Sequence, residues 1–169
     1  MNKYYKLVMA IITLLLIIII AWPIFPILTI ESNVTHDVLW SKRVNEGDLF
    51  TIRYRHSVAR TDVDEVIRVG DGELIIDSSI YESFGAGLPS EVYGEQVIKM
   101  ENGKVVLSNI NTPMTQIDLF IGQVVANHQL LFDGESIPLK NLSKPGSSIR
   151  FSVKKESLLM SMNRGASHE

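Results

Sequence analysis

From residue 7 to residue 30 the chain is apolar at every position except Thr13, Pro23, Pro26 and Thr29, and no charge interrupts it. At 1.5 Å per helical residue, the stretch to Ile20 with its flanks spans a hydrocarbon core of about 30 Å. Lys3 and Lys6 precede it, which predicts a cytoplasmic N-terminus and an extracytoplasmic remainder. Trp22 stands where an interfacial anchor belongs, and Pro23 is expected to break the helix. The bulky, proline-marked segment after Ala21 offers no small-x-small cleavage site, and the chain has no cysteine for lipidation. Residues 1–30 therefore read as a retained signal anchor rather than a cleaved signal, with the cell membrane as the expected location.

Beyond the anchor the pattern changes to alternation with a period of two. In the run over 49–57, Phe50, Ile52, Tyr54 and His56 share one face, and Thr51, Arg53, Arg55 and Ser57 share the other. Further strands are expected over 63–69, 73–81, 96–100, 105–110, 116–121, 129–132, 136–139 and 148–153. Asp71-Gly72, Asn102-Gly103 and Asp133-Gly134 are hairpin pairs, and Pro145-Gly146 marks another turn. Short strands with turns at roughly ten-residue spacing predict an all-β domain, a small β-sandwich or barrel-like fold, over 31–162. A helix is expected over 155–162 and a frayed tail over 163–169.

Composition narrows the function classes. Removing Lys3 and Lys6 from the 16 basic residues leaves 14 against 19 acidic ones, a net of −5. That balance argues against nucleic acid and anionic lipid as partners. Without cysteine there is no disulfide, thiol nucleophile or thiolate metal site.

Two polar residues break the alternation. His56 falls on the apolar face with Phe50, Ile52 and Tyr54, and Glu65 falls on the apolar face with Val63, Ile67 and Val69. If 59–62 form a four-residue connection, Val58 pairs with Val63 and His56 lies opposite Glu65, with Cβ atoms about 4.5–5.5 Å apart. Such a pair either fixes register or contacts a ligand; a carboxylate taken out of water needs a partner, and an imidazole supplies one. His56 cannot readily activate Ser57, because adjacent strand residues point to opposite faces.

The stretch Ser83-Phe84-Gly85-Ala86-Gly87-Leu88-Pro89 is the second departure. Gly85 and Gly87 imply unusual backbone angles or close backbone approach, and Pro89 fixes the exit. The loop is either a tight structural turn or a contact surface for a partner or anion. It has neither the Lys-Ser/Thr of a phosphate loop nor dinucleotide-fingerprint spacing, so no cofactor is expected. His128 reaches the same region if the sheet closes. His56, Glu65 and His128 together have the chemistry of a metal triad but no recognised metal-site spacing, and no metal is expected.

His56-Ser57-Val58, Glu65 nine residues after His56, and Phe84-Gly85-Ala86-Gly87-Leu88-Pro89 resemble the bacterial family known as domain of unknown function 1850. The likeness is strongest over 40–89 and continues through Asn127-His128, Leu130 and Pro145-Gly146. The resemblance implies a companion of TAXI-type tripartite ATP-independent transporters, which import small organic acids or related solutes on an ion gradient. The expected partners are a multi-span permease and an extracytoplasmic solute-binding protein. A one-helix chain of this size is neither of these, which leaves a non-enzymatic accessory subunit for binding and scaffolding. His56, Glu65, Gly85, Gly87, Leu88, Pro89 and His128 are its candidate contact residues. An extracytoplasmic hydrolase using His56 and Glu65 is one alternative, and a stand-alone ligand- or metal-binding envelope protein is another.

Overall fold

The computed structural model describes residues 3–82, 87–157 and 160. Its first element is helix α1, Lys3–Ala21. Nineteen residues give about 28 Å of helix, and every side chain from Tyr4 to Ala21 is exposed. A helix apolar all round with these side chains exposed is suited to lipid. By length and composition it fits a membrane anchor or a signal sequence.

The apolar run does not continue as helix to Ile30. Pro23 ends the helical pattern, and Pro23–Ser32 form strand β1. Ile27, Leu28, Thr29 and Ile30 are all buried, so β1 is covered on both faces and shows no alternation. The helix therefore ends at Ala21, and Trp22 alone separates it from the sheet. Pro26 is tolerated within β1 because its carbonyl accepts from Val44 N–H beyond the end of the neighbouring strand. The missing proline N–H faces that same unladdered edge.

The remaining strands are β2 Val38–Arg43, β3 Leu49–Arg55, β4 Asp62–Val69, β5 Leu74–Tyr81, β6 Val97–Glu101 and β7 Lys104–Ser108. They are followed by β8 Thr112–Met114, β9 Ile117–Phe120, β10 Gln129–Phe132, β11 Glu135–Pro138 and β12 Ser148–Ser157. The smaller sheet has the order β2-β1-β12-β9; the larger runs β11-β10-β3-β4-β5-β7-β6, with β8 also on β5. Among the described residues every strand pair is antiparallel.

The two sheets face each other across one core. Leu28, Ile30, Ile149 and Phe151 of the smaller sheet meet Phe50, Ile52, Ile67, Val69, Leu74 and Leu130 of the larger. Phe50 stacks on Phe151 with centroids 6.1 Å apart and ring planes 10° from parallel. The domain is an all-β sandwich behind a single N-terminal helix. A second cluster of Val63, Tyr81, Val105 and Leu107 lies further along the larger sheet.

Two glycine-containing hairpins have the backbone their sequences demand. Asn102 and Gly103 have φ of 51° and 77°, and Asp133 and Gly134 have φ of 53° and 76°, as a two-residue turn between twisted strands requires. The helix expected over 155–162 is not formed at its start, where β12 runs on through Ser157. Of the rest of that range only Met160 is among the described residues, and the tail over 163–169 lies outside them.

Candidate binding pocket between the sheets

β3 and β4 form a hairpin whose inward side chains are Phe50, Ile52 and Tyr54 on one strand and Val63, Glu65, Ile67 and Val69 on the other. Its register corrects the expectation for His56. Glu65 lies opposite Ile52, and Arg55 pairs with Asp62. The turn therefore holds six residues, 56–61, where four were expected, and the partner of Glu65 moves four positions along β3, about 13 Å of strand.

Turn chemistry accounts for the difference. His56 donates its N–H to Thr61 O at 2.9 Å and accepts Arg60 N–H at 3.0 Å, with Arg60 at φ 60°. The His56 ring turns back on its own loop, where Nδ1 accepts from the N–H groups of Val58 at 3.3 Å and Ala59 at 3.2 Å. Val58, which resembles a strand residue, is 69% exposed. Outside the sandwich, Arg53 pins the register through Nε and Nη2 to both Asp64 oxygens, at 2.6 and 2.7 Å.

On its other side Glu65 faces Ser79 of β5. A bulge places Asp77 as an extra residue between the pairs Val66–Ser78 and Ile67–Ile76. The alternation of β5 is thereby reset, so that Leu74 and Ile76 turn inward before the bulge and Ser79 and Tyr81 after it. Ser79 Oγ donates to Glu65 Oε1 at 3.0 Å.

Around Glu65 the sheets leave a pocket of about 180 Å³. Ile52, Ile67 and Ile76 form its floor on the larger sheet, Ile117 and Leu119 of edge strand β9 form its opposite wall, and Tyr54 and His128 complete it. Larger depressions lie elsewhere, about 440 Å³ beside Lys42 and Asp133, about 750 Å³ beside Glu91 and Gln96, and about 320 Å³ beside Leu131 and Glu135. The Lys42–Asp133 ion pair occupies the first of these.

His128 enters from the loop before β10. Its Nδ1 accepts Gly122 N–H at 3.2 Å, and its carbonyl accepts Leu139 N–H at 2.9 Å. The neutral ring therefore carries its proton on Nε2. The ring lies 5.7 Å from that of Tyr54, at 35°. Close packing explains the glycine at 122, where a Cβ would stand 2.5 Å from Ala126 Cβ.

The electrostatics follow from burial. Removal from water pushes the Glu65 carboxyl above its ordinary value; the Ser79 hydrogen bond opposes this and the Asp64 charge adds to it. Burial lowers His128. Burial and then the Glu65 charge raise both Tyr54 and Tyr81. Among the described residues no ion pair reaches Glu65.

The structure thus brings Glu65 and His128 to one pocket and leaves His56 in a turn. Among the described residues no group of three or more His, Asp or Glu is placed to hold a metal, so the triad chemistry of His56, Glu65 and His128 has no geometry here. The hydrolase alternative loses its His56–Glu65 dyad to the same register. Gly85 lies outside the described residues, whereas Gly87 is an exposed turn residue with φ 85°. Leu88 packs against the second cluster, and the Pro89 carbonyl accepts the Tyr81 hydroxyl. Sequence reasoning missed Ser79, which enters only through the bulge. It also missed the role of Tyr54, which was visible on the inward face.

All eight pocket-lining residues lie within 50–139, which match the model of the family described as Domain of unknown function (DUF1850). The match covers more than half of the 169-residue chain. The protein is a DUF1850 family member. No curated protein and no solved structure matches it. The DUF1850 segment spans β3, from Phe50, to β11 and so carries all of the larger sheet but Leu49, together with edge strand β9, while β1, β2 and β12 complete the sandwich from outside it.

Proposed function

We propose that this DUF1850 protein is a single-pass accessory subunit of a TAXI-type tripartite ATP-independent secondary transporter. In this reading α1 is retained in the cell membrane, Lys3 and Lys6 hold the N-terminus in the cytoplasm, and the sandwich stands outside. The subunit has no chemistry of its own; it binds a small solute in the Glu65–His128 pocket and scaffolds the permease and its extracytoplasmic solute-binding protein. The observation that carries the reading is the direct join of a 19-residue apolar helix, exposed from Tyr4 onward, through Trp22 alone, to a small sandwich with an apolar pocket rimmed by ionisable groups. The transporter part of the reading comes from the resemblance described above.

The test is ion-gradient-driven solute uptake in cells lacking the chain, compared with cells carrying it or its Glu65→Gln variant. Loss of uptake on deletion is expected, and unchanged uptake would overturn the proposal. A stand-alone envelope binder is the second reading, favoured by a pocket that is complete within one chain.

A further inference from the structure

The pocket walls are hydrocarbon except at Glu65, Tyr54 and His128. The two rim groups nearest in kind to a counterpart for Glu65 are neutral donors: the Tyr54 hydroxyl, held protonated by burial, and His128, whose proton resides on Nε2. Glu65 itself accepts one hydrogen bond, from Ser79, and among the described residues has no Lys or Arg in ion-pair contact. The site therefore holds one carboxylate, several apolar walls and no positive charge.

We propose that this pocket binds a small apolar monoamine in its ammonium form, with nitrogen on Glu65 and hydrocarbon between Ile52, Ile67, Ile76 and the β9 side chains. Size sets the class: a dry cavity of about 150 Å³ holds benzene, so 180 Å³ takes a six-carbon ring or chain with one nitrogen. Charge sets the head group. An ammonium supplies the counter-charge that a half-buried carboxylate lacks. A carboxylate ligand meets like charge at Glu65, and an alcohol gains a hydrogen bond without the ionic term. The inference rests on the pocket being a binding site and is independent of the transporter partners.

The experiment is calorimetric titration of the full-length chain in detergent, at pH 7.5, with cyclohexylamine, cyclohexanol and cyclohexanecarboxylate. Cyclohexylamine is expected to bind at least tenfold more tightly than cyclohexanol, and cyclohexanecarboxylate more weakly than either. Glu65→Gln is expected to weaken the amine at least tenfold and leave the alcohol within twofold, with circular dichroism confirming the fold. Ile76→Trp, which fills the pocket from another wall, is expected to abolish binding of both. Equal affinity for amine and alcohol, or an amine indifferent to Glu65→Gln, overturns the ligand class and leaves the pocket standing as a binding site. No heat from any of the three overturns both.

Discussion

Glu65→Gln is expected to make the domain more stable at neutral pH while emptying the pocket of its charge. The amide oxygen still accepts from Ser79 Oγ, which lies 3.0 Å from Glu65 Oε1, so that hydrogen bond survives, and the charge is exchanged for an amide NH2 whose donors still reach water from a half-buried side chain. A buried polar group left incompletely satisfied costs about 1–3 kcal/mol, and more if charged. Glu65 is only half-buried, and that contact with water brings the gain to about 1 kcal/mol, or roughly 3–5 °C in Tm for a domain of this size. The pH dependence carries the sign. Because the folded-state value is raised above the 4.5 of a free glutamate, the folded chain holds this proton more tightly than the unfolded one. Its contribution to stability is full below about pH 4.5 and declines as pH rises through the folded-state value. Variant and parent should therefore differ little at pH 4 and most at pH 8. Asp71, Asp118 and Asp133, lowered by their Lys155, Arg150 and Lys42 hydrogen bonds, act with the opposite sign but equally in both proteins. Urea denaturation of both full-length chains at pH 4, 6 and 8 reads the difference. A variant less stable than the parent at pH 8, or a difference that does not change with pH, would refute the reasoning.

Phe151→Ala should cost about 3–5 kcal/mol, a large share of the 5–15 kcal/mol of a typical domain, because Phe151 is fully buried against Phe50 across the two sheets. A double-mutant cycle with Phe50→Ala should return a coupling of about 0.5–1.5 kcal/mol by urea denaturation. Gly122→Ala forces a Cβ to within 2.5 Å of Ala126 Cβ and should destabilise by about 1–3 kcal/mol while weakening pocket ligands through His128; adding Ala126→Gly should restore both in the same titration. His56→Ala removes the acceptor of two turn N–H groups and should cost about 0.5–1.5 kcal/mol. It should leave pocket affinity within twofold, since the His56 ring faces its own turn.

Strand content was legible wherever one face was buried and the other wet. Phe50, Ile52 and Tyr54 alternate with Thr51, Arg53 and Arg55, and the Asn102-Gly103 and Asp133-Gly134 turns declare their hairpins. β1 was hidden because residues 27–30 are buried on both faces, and a continuous apolar run beside an apolar helix cannot be told from more helix by periodicity. At three residues, β8 is too short to show a period. The end of β12 carries the buried polar residues Glu156 and Ser157, which read as surface. At the site, alternation identified Glu65 as an inward carboxylate, and the slip of an even number of residues preserved its face. Its neighbours were not legible. They depend on a six-residue turn held by the His56 ring, on a bulge at Asp77, and on the docking of β9 across the sandwich, none of which alternation encodes.

The most direct test of the accessory-subunit proposal is affinity purification of the tagged full-length chain from gently solubilised native membranes, with identification of the proteins that accompany it. Recovery of a multi-span permease, its solute-binding protein or both is the expected result. Recovery of the chain alone would contradict it.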